Sequence, residues 1–169
     1  VHAGAHADAP SHYAADGEDI CERDLDFYLG PCEVIRVPVA AGGQVRPADL
    51  QASPRAERVL LATGTYPDPD AFNDDFAACT PALIDHLGAA GVRLIGIDTP
   101  SVDLFSSTDL PVHRRCLVHD MAILEGLVLA AVPAGIYELI ALPLPLAGFD
   151  ASPVRAVLRT FDQDGKGTT

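Results

Sequence analysis

Three of the six histidines in this 169-residue chain, His2, His6 and His12, fall within its first twelve positions, and Asp8 stands among them. The residues between them are mostly Ala and Gly, small enough for the backbone to fold tightly and bring imidazoles and a carboxylate to one point. Imidazole nitrogen mixed with carboxylate oxygen suits zinc, manganese or iron, whereas calcium and magnesium prefer shells of oxygen alone. Further along, His113, His119 and Glu125 add two imidazoles and a carboxylate. Taken one at a time, these residues also have plainer readings. A His-rich start can be a tag remnant, although tags are not interleaved with Asp-Ala-Pro. An isolated His113 or His119 can be an ordinary surface or core histidine, and Glu125 a helix-surface residue.

The elements that must position these groups are read from hydrophobic spacing. Residues 1–19 hold no sustained apolar period of 2 or 3.6 and read as loop leading into a short helix. Segment 32–40 (CEVIRVPVA) alternates β-branched residues between Gly-Pro and Gly-Gly, a strand pattern, and 59–63 (VLLAT) is apolar on both faces, as a central strand is. In 81–91 (PALIDHLGAAG), Leu83, Ile84, Leu87 and Ala90 share one face, which predicts a short amphipathic helix. It feeds a buried strand at 92–97 (VRLIGI) that ends in Asp98-Thr99-Pro100, polar groups at the edge where an α/β cleft forms. Segment 113–129 starts polar and turns apolar, with Glu125 the one charge in its second part. Segment 137–142 (YELIAL) predicts a strand. Segment 152–158 predicts a helix with Ser152 as N-cap and Pro153 in its first turn. Residues 162–169 read as a flexible tail after a single domain spanning 1–161.

Composition narrows the partners. Lys+Arg 11 against Asp+Glu 24 leaves a formal charge of −13 with no basic cluster, which disfavours nucleic acid and anionic membrane surfaces and leaves small molecules or proteins. A chain of this length buries roughly 70% of its unfolded surface and forms a core without staples. The longest apolar run, 121–133, is broken by Glu125 and Gly126 and falls short of the ~20 residues of a membrane span. Four cysteines without a C-x-x-C pair or dense spacing fit a reducing cytoplasm. Because the sequence opens on Val1 rather than Met, it is expected to begin inside a longer domain.

His2-x-Gly4-x-His6-x-Asp8-x-Pro10-x-His12 resembles the signature of the cyclase-type metal-dependent hydrolases, and GAHADAP-x-HY is similar to the kynurenine formamidase branch of that family. The resemblance continues through 94–101 (LIGIDTPS), the H-x₅-H-x₅-EG of 113–126, 137–144 (YELIALPL) and 147–158 (AGFDASPVRAVL). It implies an α/β fold with a mixed sheet and flanking helices, of the swivelling β/β/α type. It makes His2, His6 and Asp8 ligands of one zinc, with Asp8 bridging to a second ion held by His113 and Glu125, the other shared carboxylate. Manganese is the alternative metal. His12 matches the catalytic acid/base, and His119 a histidine that either orients a ligand or substrate or is plainly structural.

The implied reaction is hydrolysis of an aryl formamide, N-formyl-L-kynurenine to L-kynurenine and formate, by a cytoplasmic homodimer. A metal-bound water with its pKa lowered toward ~7 supplies the attacking hydroxide, and an imidazole with pKa near ~6.5 can pass the proton to the leaving nitrogen. The alternatives are a related amidohydrolase acting on a cyclic amide such as isatin, and a non-catalytic metal-binding remnant. Family members carry a further N-terminal stretch with a substrate-stacking aromatic residue, and this chain has no Trp. Phe27, Tyr28, Tyr66, Phe72 and Phe76 are the aromatic candidates here, more often core than pocket.

Overall fold

The computed structural model describes residues 1–161; the tail expected at 162–169 lies outside them. In chain order the elements are β1 (His6–Asp8), β2 (Leu29–Arg36), β3 (Gln44–Val45), β4 (Arg58–Ala62), β5 (Ala78–Cys79), α1 (Pro81–Ala89), β6 (Leu94–Ile97), α2 (Pro111–Val118), β7 (Ala122–Glu125), β8 (Gly135–Ile140), β9 (Ala151–Pro153) and β10 (Val157–Arg159). Eight strands form one mixed sheet in the order β10-β8-β2-β4-β6-β7-β1-β9, and β3 pairs with β5 separately. Strands β2, β4, β6 and β7 run parallel, while β8 and β10 at one side and β1 and β9 at the other are antiparallel to their neighbours. This is the mixed α/β fold expected from the sequence.

Alternation along the central strands sends side chains to two separate cores. Val59, Leu61, Ile95, Ile97 and Ile123 meet Leu83, Ile84 and Leu87 of α1 and Val112 and Cys116 of α2. Leu60, Leu94 and Leu124 point the other way and pack with Tyr28, Cys32 and Leu139. Strands β4, β6 and β7 are buried at every position, which is why they read as continuous apolar runs. Helix α1 begins where predicted, with the Thr80 hydroxyl accepting the Leu83 N–H and Pro81 in the first turn. The polar half of 113–129 falls in and just after α2, and its apolar half opens with β7, which ends on Glu125. All four cysteines are free thiols, and no helix among the described residues is long and apolar enough to cross a membrane.

Two expectations fail. Residues 6–8 are not loop but β1, a buried strand between β7 and β9. Ala5, Ala7 and Ala9 face the apolar core and alternate with His6 and Asp8, but alanine is small and a poor strand former, so the alternation does not read as a strand. Residues 152–158 form no helix. The Ser152 hydroxyl accepts the Leu144 N–H and donates to the Pro153 carbonyl instead of capping a first turn, and residues 151–153 lie along the outer edge of β1. An edge strand tolerates a proline that cannot donate a ladder hydrogen bond.

Candidate metal centre

The antiparallel register of β1 on β7 sets His6 directly opposite Glu125, and Asp8, two residues on, shares the face of His6. His6 Nε2 lies 3.3 Å from Glu125 Oε2 and 3.4 Å from Asp8 Oδ1. The first turn of α2 brings His113 Nε2 to 3.3 Å from Asp8 Oδ2 and 3.3 Å from Glu125 Oε1, so it faces the other oxygen of each carboxylate. His2, on the segment before β1, places Nδ1 3.1 Å from Asp8 Oδ1. Gly126, with φ +64, turns the chain at the end of β7, and a side chain there would collide with the Gly4 carbonyl. That glycine lets the segment carrying His2 close over the strand end. His12, on the short 3-10 turn Pro10–His12, stacks on His2 with ring centroids 4.3 Å apart.

All six residues singled out in the sequence as ligands or acid/base thus converge, from both ends of the chain. His6, Asp8 and Glu125 offer donor atoms within 4.8 Å of one another, and so do His2, Asp8 and His12, with Asp8 common to both groups. The second group brings His12 as close to Asp8 as a ligand would be. His119 does not join the cluster. Its Nε2 sits 2.8 Å from Asp85 Oδ1 between α1 and α2, and its ring lies against Gly88.

Buried polar groups normally find hydrogen-bond partners, yet His6 Nε2 and Asp8 Oδ1 are fully buried with none of acceptable geometry. His6 Nε2 faces Asp8 Oδ1 at 3.4 Å and Glu125 Oε2 at 3.3 Å. Nitrogen and carboxylate oxygen converging without a hydrogen bond is the donor set that a zinc- or manganese-like ion takes up. Without such an ion the charges balance internally. Burial disfavours the charged form of Asp8, but His113, His2 and His6 outweigh it and hold the carboxyl well below its usual range. Burial likewise opposes protonation of His113, and Asp103, Asp8 and Glu125 together raise it to about 11.

Two supporting carboxylates escaped the sequence reading. Asp103 accepts the backbone N–H groups of Val112 and His113, capping α2 from outside the helix, and its Oδ2 lies 2.8 Å from His113 Nδ1. One residue therefore fixes both the helix start and the ring whose far nitrogen faces the cluster. Asp150, at the start of β9, places Oδ2 3.0 Å from His12 Nδ1 and 3.2 Å from His2 Nε2. The Val102 N–H donates to Glu125 Oε1 at 2.7 Å and orients the third carboxylate.

A cavity of about 460 Å³ opens beside the cluster, within the size range of small-molecule sites. His2 and His6 form part of its wall and Tyr66 and Phe72 another, with Phe105 edge-on to Phe72 at 5.5 Å. Of the aromatic candidates, Phe27, Tyr28 and Phe76 are buried and do not line the cavity, although Phe76 packs edge-on behind Tyr66 at 6.3 Å. Asp98, at the end of β6, accepts from Thr63 and Gly64 and holds the turn that precedes Tyr66.

Comparison with known proteins identifies the family. The model of the Cyclase family ("Putative cyclase") matches residues 1–104. A structure described as a potential metal-dependent hydrolase with cyclase activity superposes with a TM-score of 0.82 at 29% identity, covering 94% of this chain and 78% of that one. A predicted metal-dependent hydrolase from Bacillus stearothermophilus gives a TM-score of 0.77 at 30% identity, with 94% and 77% covered. Isatin hydrolase A from Ralstonia solanacearum shares the fold, with a TM-score of 0.73 at 21% identity over 93% of this chain and 71% of that one. The chain belongs to the Cyclase family.

Proposed function

We propose that this protein is a metal-dependent amide hydrolase that converts N-formyl-L-kynurenine to L-kynurenine and formate on a pair of zinc ions. The observation that carries the reading is the cluster itself. Asp8 stands between two groups of donors, with His6 and Asp8 buried and unsatisfied against Glu125. In this reading His2, His6, Asp8, His113 and Glu125 would hold the ions. When bound, the ions supply hydroxide at neutral pH and polarise the formyl carbonyl. His12 takes the proton of the attacking water and delivers it to the departing aryl nitrogen, and Asp150 holds the His12 ring through Nδ1. Tyr66 and Phe72 offer the aryl ring a wall beside the cluster.

The cyclic amide isatin is the second candidate, because the same donors and the same aromatic wall serve either substrate. Assay of both substrates on one sample, with metal content measured, separates the readings. About two zinc ions per chain and turnover of N-formylkynurenine are expected. Turnover of isatin alone would move the assignment to the cyclic amide, and two bound ions without hydrolysis of either would make the cluster a binding module. The reading also carries a cytoplasmic homodimer with it, and sedimentation of the metal-loaded protein tests the dimer.

A further inference from the structure

Arg36 is the one cationic side chain in the wall of the cavity that reaches His2 and His6. It ends β2, and its Nη2 donates to the backbone carbonyls of Val132, Ala130 and Leu129 at 2.7, 3.0 and 3.4 Å. Carbonyls orient a guanidinium without neutralising it. Among the described residues no carboxylate pairs with Arg36, and its Nε and Nη1 make no hydrogen bond. Arg23, Arg55, Arg93, Arg115 and Arg159 each hold an acid, whereas Arg36, like Arg58, is held by backbone carbonyls, and of these two only Arg36 lines the cavity. The acid sharing the cavity wall, Asp98, is engaged by Thr63 and Gly64.

We propose that Arg36 is a specificity-determining residue that receives a carboxylate of the substrate, which restricts the preferred substrates to aryl amides bearing a carboxylate. Both bidentate forks of a guanidinium use Nη2, which the three carbonyls occupy, so the open Nη1 offers a carboxylate a single charge-assisted hydrogen bond from a group held in place before the substrate arrives. Tyr66 and Phe72 lie in the same wall, so an aryl group and an anion are served by one cavity. The proposal rests on the cluster being the hydrolytic centre only for where the amide goes; the anion subsite can be measured without turnover.

The probe is benzoylpropionate, an aryl ketone with a carboxylate and no hydrolysable amide, compared with its methyl ester by calorimetry on the metal-loaded protein. The acid is expected to bind about 10–100-fold more tightly than the ester, as a charge-assisted pair does. In Arg36→Met that advantage should vanish, and Arg36→Lys should recover part of it. Equal binding of acid and ester to the wild type overturns the proposal. So does an advantage that survives in Arg36→Met, since the carboxylate would then rest on the metal ions. Equal weakening of both ligands in Arg36→Met overturns it too, because Arg36 would then merely brace residues 129–132. If N-formylkynurenine is not hydrolysed while the Arg36-dependent difference persists, the hydrolytic assignment fails and the anion subsite stands.

Discussion

Two histidine–aspartate pairs border one short helix, α2, and they share the same 2.8 Å contact. At its start His113 Nδ1 meets Asp103, both side chains at most 3% exposed; just past its end His119 Nε2 meets Asp85, at 26% and 46%. Distance does not distinguish them. What differs is where the second ring nitrogen goes and how much water surrounds the pair. His113 turns Nε2 toward Asp8 and Glu125, whereas the His119 ring lies on Gly88, and Arg115 shares its Asp85. A carboxylate that orients a buried imidazole toward further ligands tunes a metal site; the same contact in solvent ties two helices together and contributes little.

The sharpest way to break the contrast is to remove what His113 faces. Glu125→Gln keeps an oxygen for the Val102 N–H but loses one carboxylate of the cluster. Activity should fall about 10³-fold or more, since metal ions supply several kcal/mol of transition-state stabilisation, and bound metal should fall below two per chain. Normal turnover at full metal content would show that the cluster is not the reacting centre.

His12→Ala should cost about 10²-fold or more in kcat while both ions stay bound. Because His12 lies with Asp8 and His2 close enough to share an ion, metal content is the deciding measurement. Loss of one ion together with activity would recast His12 as a ligand.

Asp103→Asn acts on the first pair alone. Metal affinity or kcat should drop about 10–100-fold, the usual cost of losing such a partner. The metal-free protein gives an independent check through pH. His113 is raised from its ordinary value to about 11, as its carboxylate partners outweigh burial. A raised pKa stabilises the fold fully below the unfolded value of about 6.5, and that contribution is lost as pH rises toward about 11. The thermal midpoint of metal-free protein should therefore fall across that window, and the fall should be shallower in Asp103→Asn. An unchanged slope would remove Asp103 from the balance.

These residues differ in how far the sequence exposes them, for physical reasons. Strands β4 and β6 and helix α1 are legible because burial on both faces, or on one helical face, leaves an unbroken apolar pattern. Strand β1 is not, since its core-facing positions carry only alanine and its other face buries His6 and Asp8. Ser152-Pro153 mimics a helix start, and only the neighbouring edge of β1 shows that it is strand. His2, His6, Asp8 and His12 announce themselves by crowding. His113 and Glu125, more than a hundred residues away, are reached only through family resemblance. Asp103 and Asp150 are two carboxylates among 24 with no spacing to mark them.

His119, which the sequence leaves open between an orienting and a plainly structural histidine, frames the smallest prediction. The H-x₅-H spacing suggests partnership, but six residues along an α-helix rotate the side chain by roughly 240°, so His119 leaves the face that His113 presents to the cluster. Asp85→Asn should accordingly leave kcat, KM and metal content unchanged within about twofold. Arg115 and His119 hold the Asp85 carboxyl below its usual value, but the site is open to water and the stabilisation correspondingly weak. The thermal midpoint should move by no more than a few degrees, and any dependence should appear only as acidification through the ordinary carboxyl range removes the charge. A large loss of metal or turnover in this variant would mean that α2 transmits strain from its end to its start, and the contrast between the two pairs would collapse.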